Sequence, residues 1–508
     1  MAVVDRETLV KPLIFRHVLD SDYPYLLSVT GLALVLRLYQ LGAESLWSDE
    51  GYSIRDAMYP ALAVGLRPVY YLILHAWMRL GLGGNEFLLR LPAAIFGVAG
   101  VWALFVLGRR LFDRPVALLA SVFMAVSVLH INHSQEVRMY SLAALLVICA
   151  TYLFVLWRDY GHFRYGLGYV ISALLTLLTF PLTIFVFLGH AVFMLLYHRR
   201  YSPRSWMLLC GMLVVTIGWL PWTNRCVQVM KSFESGLIGS QSAPSPRDVI
   251  SMLGDFYLWK CNNPSAVYIL GAVFFSLLIL TVALFGLRKF SKTHANVSLI
   301  WIWLVLPLLC SYLLSLFVTN VWTVRYVIAA SPALYMLVSH GIQTLTHRGT
   351  KIAVLILILL PTLVRLGMYY VQPERPEWRP AVWYVETHEE PGDIIGIYSP
   401  GNKLIFDYYY HGRSPVVALG YYLTPEEEFG DWTNDKVRDL LQTPGLSGRR
   451  FWLMLSKHTV RGGFTIINYV KHNYRLLDHR TYYDLEFYLF DACGKPVPTS
   501  IIGRTSCE

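Results

Sequence analysis

Charge is scarce in this chain. Asp, Glu, Lys and Arg make up 15% of 508 residues, against 55% hydrophobic residues, where a soluble protein carries about 25% charged residues. That imbalance excludes a water-soluble globule. Cysteine is scarce as well, seven residues in all, and no Cys/His spacing suggests zinc. Nucleotide-binding glycine loops are missing. "GLGG" at 81–84 and "RGGF" at 461–464 lack the strand-to-helix setting that such a loop needs. The net charge of +10 comes with no nucleic-acid motif, and its positives are scattered through short loops. Residues 1–23 hold Asp5, Arg6, Glu7, Lys11 and Arg16 but no apolar stretch with a small-residue cleavage site, so they read as a cytoplasmic segment and the first span as an uncleaved signal.

What the chain has instead is long apolar runs. They fall at about 24–41, 88–108, 115–131, 139–157, 163–179, 182–198, 206–222, 267–287, 297–317, 325–345 and 352–370, each near the ~20 residues that cross a hydrocarbon core. The expected fold class is mainly α: a polytopic membrane bundle of about eleven transmembrane helices over residues 24–370. Residues 163–198 read either as two spans or as one span kinked at Pro181. Basic residues occupy every second connection: Arg109, Arg110 and Arg114; Arg158 and Arg164; Arg199, Arg200 and Arg204; Arg288, Lys289 and Lys292; Arg348 and Lys351. By the positive-inside rule the N-terminus is cytoplasmic. The loops 42–87 and 223–265 and the tail 371–508 then lie outside, and the localisation is the cell membrane.

The tail is different in kind. Short β-rich runs ("DIIGIYS", "RRFWLML", "YDLEFYLFD") alternate with helical stretches ("EWRPAVWYVETH", "FTIINYVKHNY"), which predicts a small soluble α/β C-terminal domain. Cys149, Cys210 and Cys310 fall within spans as small hydrophobes. Cys226 shares an outer loop with Cys261, and Cys493 shares the tail with Cys507. Both pairs stay undecided between thiol and disulfide.

Polar residues gather where the spans meet the outer loops. "LWSDEGYS" places Asp49 beside Glu50 just past the first span. Ser48 or Asp49 could simply cap a helix. "ALAVGLRPVYYLILHAWMRLGLGGNEFLLRLPAAIFG" is amphipathic and too interrupted to span, so it predicts helices lying at the outer interface. It carries Arg67, Arg79, Arg90, His75, Tyr70 and Tyr71. "HINHSQEVRMYS" adds His130, His133, Glu136, Arg138 and Tyr140 in a turn region between spans, as either a site or a solvated loop. "VTNVWTVRYVIAASPAL" adds Arg325 at a third corner, equally an interfacial anchor or a ligand. Carboxylates suit a general base or a cation, arginines suit phosphate, and apolar walls at lipid depth suit a polyprenyl chain. Together they fit transfer of a group from a lipid-linked phosphate.

At these residues the sequence resembles a family. "LWSDEGYSIRDA", "RPVYYLILHAWMRLGLGGNEFLLRLPAAIFGVAGVWALFVLGRRLF", "HSQEVRMYSLAALLVICATYLF" and "RYVIAASPALYML" resemble the membrane-embedded GT-C glycosyltransferases. The likeness is to the glycosyltransferase family 39-like branch, related to protein O-mannosyltransferases and the lipid A aminoarabinose transferase, and it covers roughly the first 345 residues. It implies a seven-helix N-terminal core, interfacial helices in the first outer loop and a variable C-terminal half. It also implies sugar transfer from a polyprenyl-phosphate donor with inversion.

Asp49 matches the family's first-loop acidic residue, with Glu50 beside it, and these two are the catalytic candidates. Arg138 matches the basic position near the donor phosphate, with His133 and Arg325 as further phosphate ligands. Glu136 matches a second-loop acidic residue. With Arg67, His75 and Tyr71 it is a candidate to contact the acceptor or a metal. Some relatives bind a divalent metal and others work without one, so the resemblance leaves the cofactor open. Its implied partners are the lipid bilayer, a polyprenyl-phosphate sugar donor and a glycan, lipid or protein acceptor. The rival reading, a secondary transporter, would call for two related halves and polar residues near the membrane midplane.

Overall fold

In the computed structural model the described residues are 13–59, 68–197, parts of 207–219, 244–258, 266–288, 294–318, 321–398, 400–419, 450–456 and 463–491. Arg67, Cys226, Cys261, Cys493 and Cys507 lie outside them, while Cys149, Cys210 and Cys310 are free thiols. The fold is mainly helical, with a small sheet near the C-terminus.

The first helices are α1 (Leu13–Leu38), α2 (Ser48–Met58), α3 (Pro68–Arg79), α4 (Glu86–Leu111), α5 (Arg114–Val126), α6 (Val128–Ser134) and α7 (Tyr140–Tyr160). Their ends follow from sequence. Asn85 and Asp113 cap α4 and α5 by accepting the Leu88 and Val116 backbone N–H groups. α7 stops at Gly161, whose φ of 72° suits a residue without a side chain. Next come α8 (Phe163–Thr179), a 3₁₀ turn (Pro181–Thr183), α9 (Ile184–Leu196), α10 (Pro246–Leu258), α11 (Ala266–Phe285), α12 (His294–Phe317), α13 (Ser331–Thr344) and α14 (Arg348–Val371). The Tyr169 hydroxyl on α8 lies 3.2 Å from His190 Nδ1 on α9. In one continuous helix those residues would be about 30 Å apart. The stretch from Phe163 to Leu196 therefore folds back as two helices.

Among the described residues, α4, α7, α12 and α14 have the length and composition to cross a membrane, and α5 with α6 makes a fifth if the bent pair is one span. α1 and α11 are 26 and 20 residues long, while α8 and α9 are shorter apolar helices, so the described residues do not establish the number of crossings. Two boundaries need correction. The block expected at 115–131 is not straight: it breaks at Ser127 and bends by 59°. The block expected from 325 enters a 3₁₀ turn at Ile328–Ala330 and becomes α-helical only at Ser331, which leaves Arg325 in an irregular connection.

The bend has a cause. Breaking a helix frees its last carbonyls, which must find donors. Arg37, fully buried on α1, supplies them: its guanidinium donates to the Met124 and Ala125 carbonyls and to Ser134 Oγ. Gly97 on α4 makes room, since a Cβ there would lie 2.1 Å from Ser134 Oγ. The break redirects α6 into the protein, and all of residues 128–141 are buried. The expected turn region at "HINHS" is thus a buried helix, and the solvated-loop reading fails.

The basic residues at the far end pair with acids. Asp22 receives Arg109 at 2.6 Å and also Arg114, and Arg110 pairs with Asp159.

The C-terminal α/β unit is as expected in kind. It contains α15 (Trp378–His388), β1 (Ile394–Tyr398), α16 (Pro400–Tyr409), β2 (Val416–Leu419), β3 (Arg450–Ser456), α17 (Gly463–Asn473), β4 (Arg475–Tyr482) and β5 (Leu485–Asp491). The sheet order is β2-β1-β3-β5-β4; β1 runs parallel to β2 and β3, while β5 is antiparallel to β3 and β4. Strand side chains alternate between faces. Ile394, Tyr398, Phe451, Leu453 and Phe490 accordingly pack with Ile466 and Val470 of α17. Ile395, Ile397, Trp452, Met454 and Phe487 face α15 and α16, in one core continuous with the helical bundle. α16 sits on α2: a Cβ at Gly51 would lie 2.7 Å from Ile405. The soluble unit therefore rests on the helix that carries Asp49.

Candidate functional site

α2 starts because Glu50, its third residue, reaches back to accept the Trp47 backbone N–H at 3.3 Å. Trp47 holds the cap position, so neither Ser48 nor Asp49 caps the helix. Two adjacent residues on a helix point about 100° apart, and this separates the two carboxylates. Glu50 turns inward and is fully buried. It accepts both arms of Arg90, at 2.9 and 2.8 Å, and the Val137 N–H at 2.9 Å. Arg90 spends its other donors on the Leu41, Glu44 and Ser45 carbonyls. The pair ties together α2, α4 and the turn after α6, and leaves Glu50 no lone pair directed at Asp49.

Asp49 faces the other way and is 27% exposed. Its Oδ2 lies 3.1 Å from Arg325 Nη1 and 3.6 Å from Arg138 Nη2. Arg138 is held by the Asp49 carbonyl and Ser53 Oγ, and it lies beside the Tyr140 ring. Arg325 rests on the ring of Tyr326. Three segments far apart in sequence therefore place one carboxylate and two guanidiniums at one point, partly open to solvent.

The other predicted residues fall around this point in different roles. His133 and Glu136 pair with each other at 3.0 Å, and Asn132 donates to the second Glu136 oxygen at 2.8 Å. Burial alone would push the Glu136 carboxyl up. The charges of His133 and Arg375 and the two hydrogen bonds overcome this and hold it at about 2. The His133 ring lies 4.7 Å from that of Tyr140, one aromatic away from Arg138. Tyr71 is buried in edge contact with Tyr70. His75 donates from Nδ1 to the Ala57 carbonyl at 2.7 Å and so pins α3 to α2.

Three contributors were given no site role from the sequence, although it names Arg90 and Tyr70. Arg90 is a structural anchor. Arg375, from the segment between α14 and the soluble unit, is buried and donates to the Gln135 carbonyl at 2.9 Å. The Tyr70 hydroxyl is buried with no partner among the described residues, within electrostatic reach of Glu50, Arg138 and Glu136. "RLP" marked Arg90 as part of a motif, and "VYY" marked the tyrosines. Arg375 carries no local signal, because its contact spans 240 residues. No three His, Cys, Asp or Glu side chains come together among the described residues. Asp49 meets two cations instead of further carboxylates, a donor set that does not fit a divalent metal.

Comparison with known proteins adds to this geometry. Residues 65–223 match the family described as dolichyl-phosphate-mannose-protein mannosyltransferase. The structure is similar to ArnT from Cupriavidus metallidurans in the apo state, at 13% identity and a TM-score of 0.57, covering 93% of this chain and 99% of that one. This is the GT-C glycosyltransferase fold. ArnT bound to undecaprenyl phosphate gives the same TM-score of 0.57 at 14% identity, covering 92% of this chain and 98% of the other. A second GT-C structure, the Archaeoglobus fulgidus oligosaccharyltransferase AglB in complex with an inhibitory peptide and a dolichol-phosphate, matches at 12% identity and a TM-score of 0.53. It covers 93% of this chain and 75% of that one. No curated protein is significantly similar in sequence. The likeness is one of fold, and the apolar helices long enough to cross a membrane make this a multi-pass membrane protein.

Proposed function

We propose that this protein transfers a sugar from a polyprenyl-phosphate donor to a hydroxyl acceptor, with inversion at the anomeric carbon. The observation that carries the reading is Asp49 shared between Arg138 and Arg325. Guanidiniums bind a phosphate through paired N–H groups. An arriving donor phosphate competes for both arginines and takes the place of the Asp49 carboxylate. The freed carboxylate can then accept a proton from the acceptor hydroxyl. The acceptor oxygen attacks the anomeric carbon from the face opposite the phosphate. The bond between that carbon and the phosphate oxygen breaks, and polyprenyl phosphate leaves as a dianion. Arg138 and Arg325 stabilise its added charge, and Asp49 keeps the proton. Glu50 has no share in these steps, since Arg90 and two backbone N–H groups already occupy it. His133 and Glu136 hold the turn that presents Arg138. The bound lipid phosphates named for ArnT and AglB support the donor class.

The test is purified full-length protein incubated with a labelled polyprenyl-phosphate sugar. Release of polyprenyl phosphate, with the sugar on an acceptor or on water, is expected. Asp49→Asn keeps the shape of the side chain and should lower turnover by about 10²–10⁴-fold with donor binding retained. Near-normal turnover in that variant would refute the role of Asp49.

A further inference from the structure

A cavity between α10, α11 and α14 has none of Asp49, Arg138 and Arg325 in its lining. Its volume is about 580 Å³, within the roughly 300–1,000 Å³ range of ligand pockets. Leu258, Phe275, Leu278, Leu357, Val364 and Met368 make its walls apolar. The mouth is charged. Arg365 stands six residues before the end of α14, about 9 Å below it at 1.5 Å per residue, which is the headgroup end of a span. Its Nη2 lies 2.6 Å from Glu374 Oε1, and the two side chains are only 7% and 13% exposed. Arg365 Nε is buried and has no acceptor among the described residues. Tyr483 of the soluble unit completes the rim.

We infer that this cavity binds one phospholipid with a phosphoethanolamine headgroup. The chain fills the apolar cavity, the phosphate accepts from Arg365, and the ammonium donates to Glu374. Three features select this headgroup. An unsatisfied buried guanidinium N–H calls for an acceptor, and phosphate supplies one. The Arg365–Glu374 pair is electrically neutral, and a zwitterion leaves it so. An anionic headgroup would meet the Glu374 carboxylate with no ammonium to offset it, since Glu44 behind it is already paired with Arg375. A primary ammonium can also hydrogen-bond a carboxylate, which a quaternary one cannot. The site is separate from the arginine pair at Asp49, and the proposal does not depend on sugar transfer.

The experiment uses full-length protein, delipidated in detergent and titrated with phosphatidylethanolamine fluorescently labelled on an acyl chain. Competitors are unlabelled phosphatidylethanolamine, phosphatidylglycerol and polyprenyl phosphate. Saturable binding at one lipid per chain is expected, with phosphatidylethanolamine competing at least about tenfold better than the other two. Arg365→Gln should weaken binding about tenfold or more. Because that change strands the Glu374 charge, Gly271→Leu is the second variant. Gly271 lines the cavity and a Cβ there meets nothing within 4 Å, so a leucine side chain starts in open space, takes up cavity volume and should give a similar loss. Non-saturable partitioning, unchanged affinity in Gly271→Leu, or equal competition by phosphatidylglycerol or polyprenyl phosphate would each overturn the assignment.

Discussion

Replacing Glu50 with glutamine separates an anchor from a catalyst. Glu50 and Arg90 are both fully buried. Arg90 has five N–H donors, and all five are used: one from Nε and one from Nη2 on Glu50, two from Nη1 on Leu41 and Glu44, and the last from Nη2 on Ser45. Glutamine keeps the size of the side chain, but it removes the charge and turns one acceptor into a donor. At either oxygen that donor faces Arg90 and a backbone N–H, of Val137 or Trp47, none of which can accept. Removing one partner of a buried pair costs about 3–5 kcal/mol. With a shift of about 2 °C per kcal/mol in a large domain, the melting temperature should fall by on the order of 6–10 °C. The assay is thermal unfolding in detergent, run beside Asp49→Asn. Asp49 is 27% exposed, so that variant should change stability by no more than about 1 kcal/mol. Glu50→Gln that melts with wild type but loses turnover a hundredfold would refute the anchoring role and return Glu50 to the chemistry.

Arg138→Ala should weaken donor binding more than Arg138→Lys, since lysine keeps the charge but not the forked geometry; equal affinity in all three proteins would remove Arg138 from the phosphate site. Glu136 is held at about 2, below its ordinary 4.5. Its contribution to stability is therefore complete above about pH 4.5, shrinks on acidification and is gone below about pH 2. Melting temperatures across that window should fall in wild type and fall less in Glu136→Gln. Reporter fusions after residues 160 and 400 should report opposite sides of the membrane, with residue 160 cytoplasmic; two cytoplasmic reports would place the site on the wrong face.

Much was legible because it is local or periodic. Apolar runs long enough for a membrane mark a helical bundle wherever they pack. The strands at 394–398, 450–456 and 485–491 follow from short β-rich apolar runs, and the helices at 378–388 and 463–473 from amphipathicity, which each segment carries alone. Asp49, Arg138 and Arg325 each stood out as polar residues at a membrane edge, where desolvation makes such residues costly. What tertiary structure decided is direction and partnership. Sequence places Asp49 and Glu50 side by side; only the turn of α2 sends one to the open arginines and the other to Arg90. Ser127 caps α6 by accepting the His130 N–H, but nothing local shows that the freed Met124 and Ala125 carbonyls find Arg37 on another helix. Arg375 reaches Gln135 across 240 residues, and α16 finds Gly51 only because the soluble unit folds back onto the bundle. Local propensity cannot encode such contacts, because each depends on two segments whose meeting is set by the packing of the whole chain.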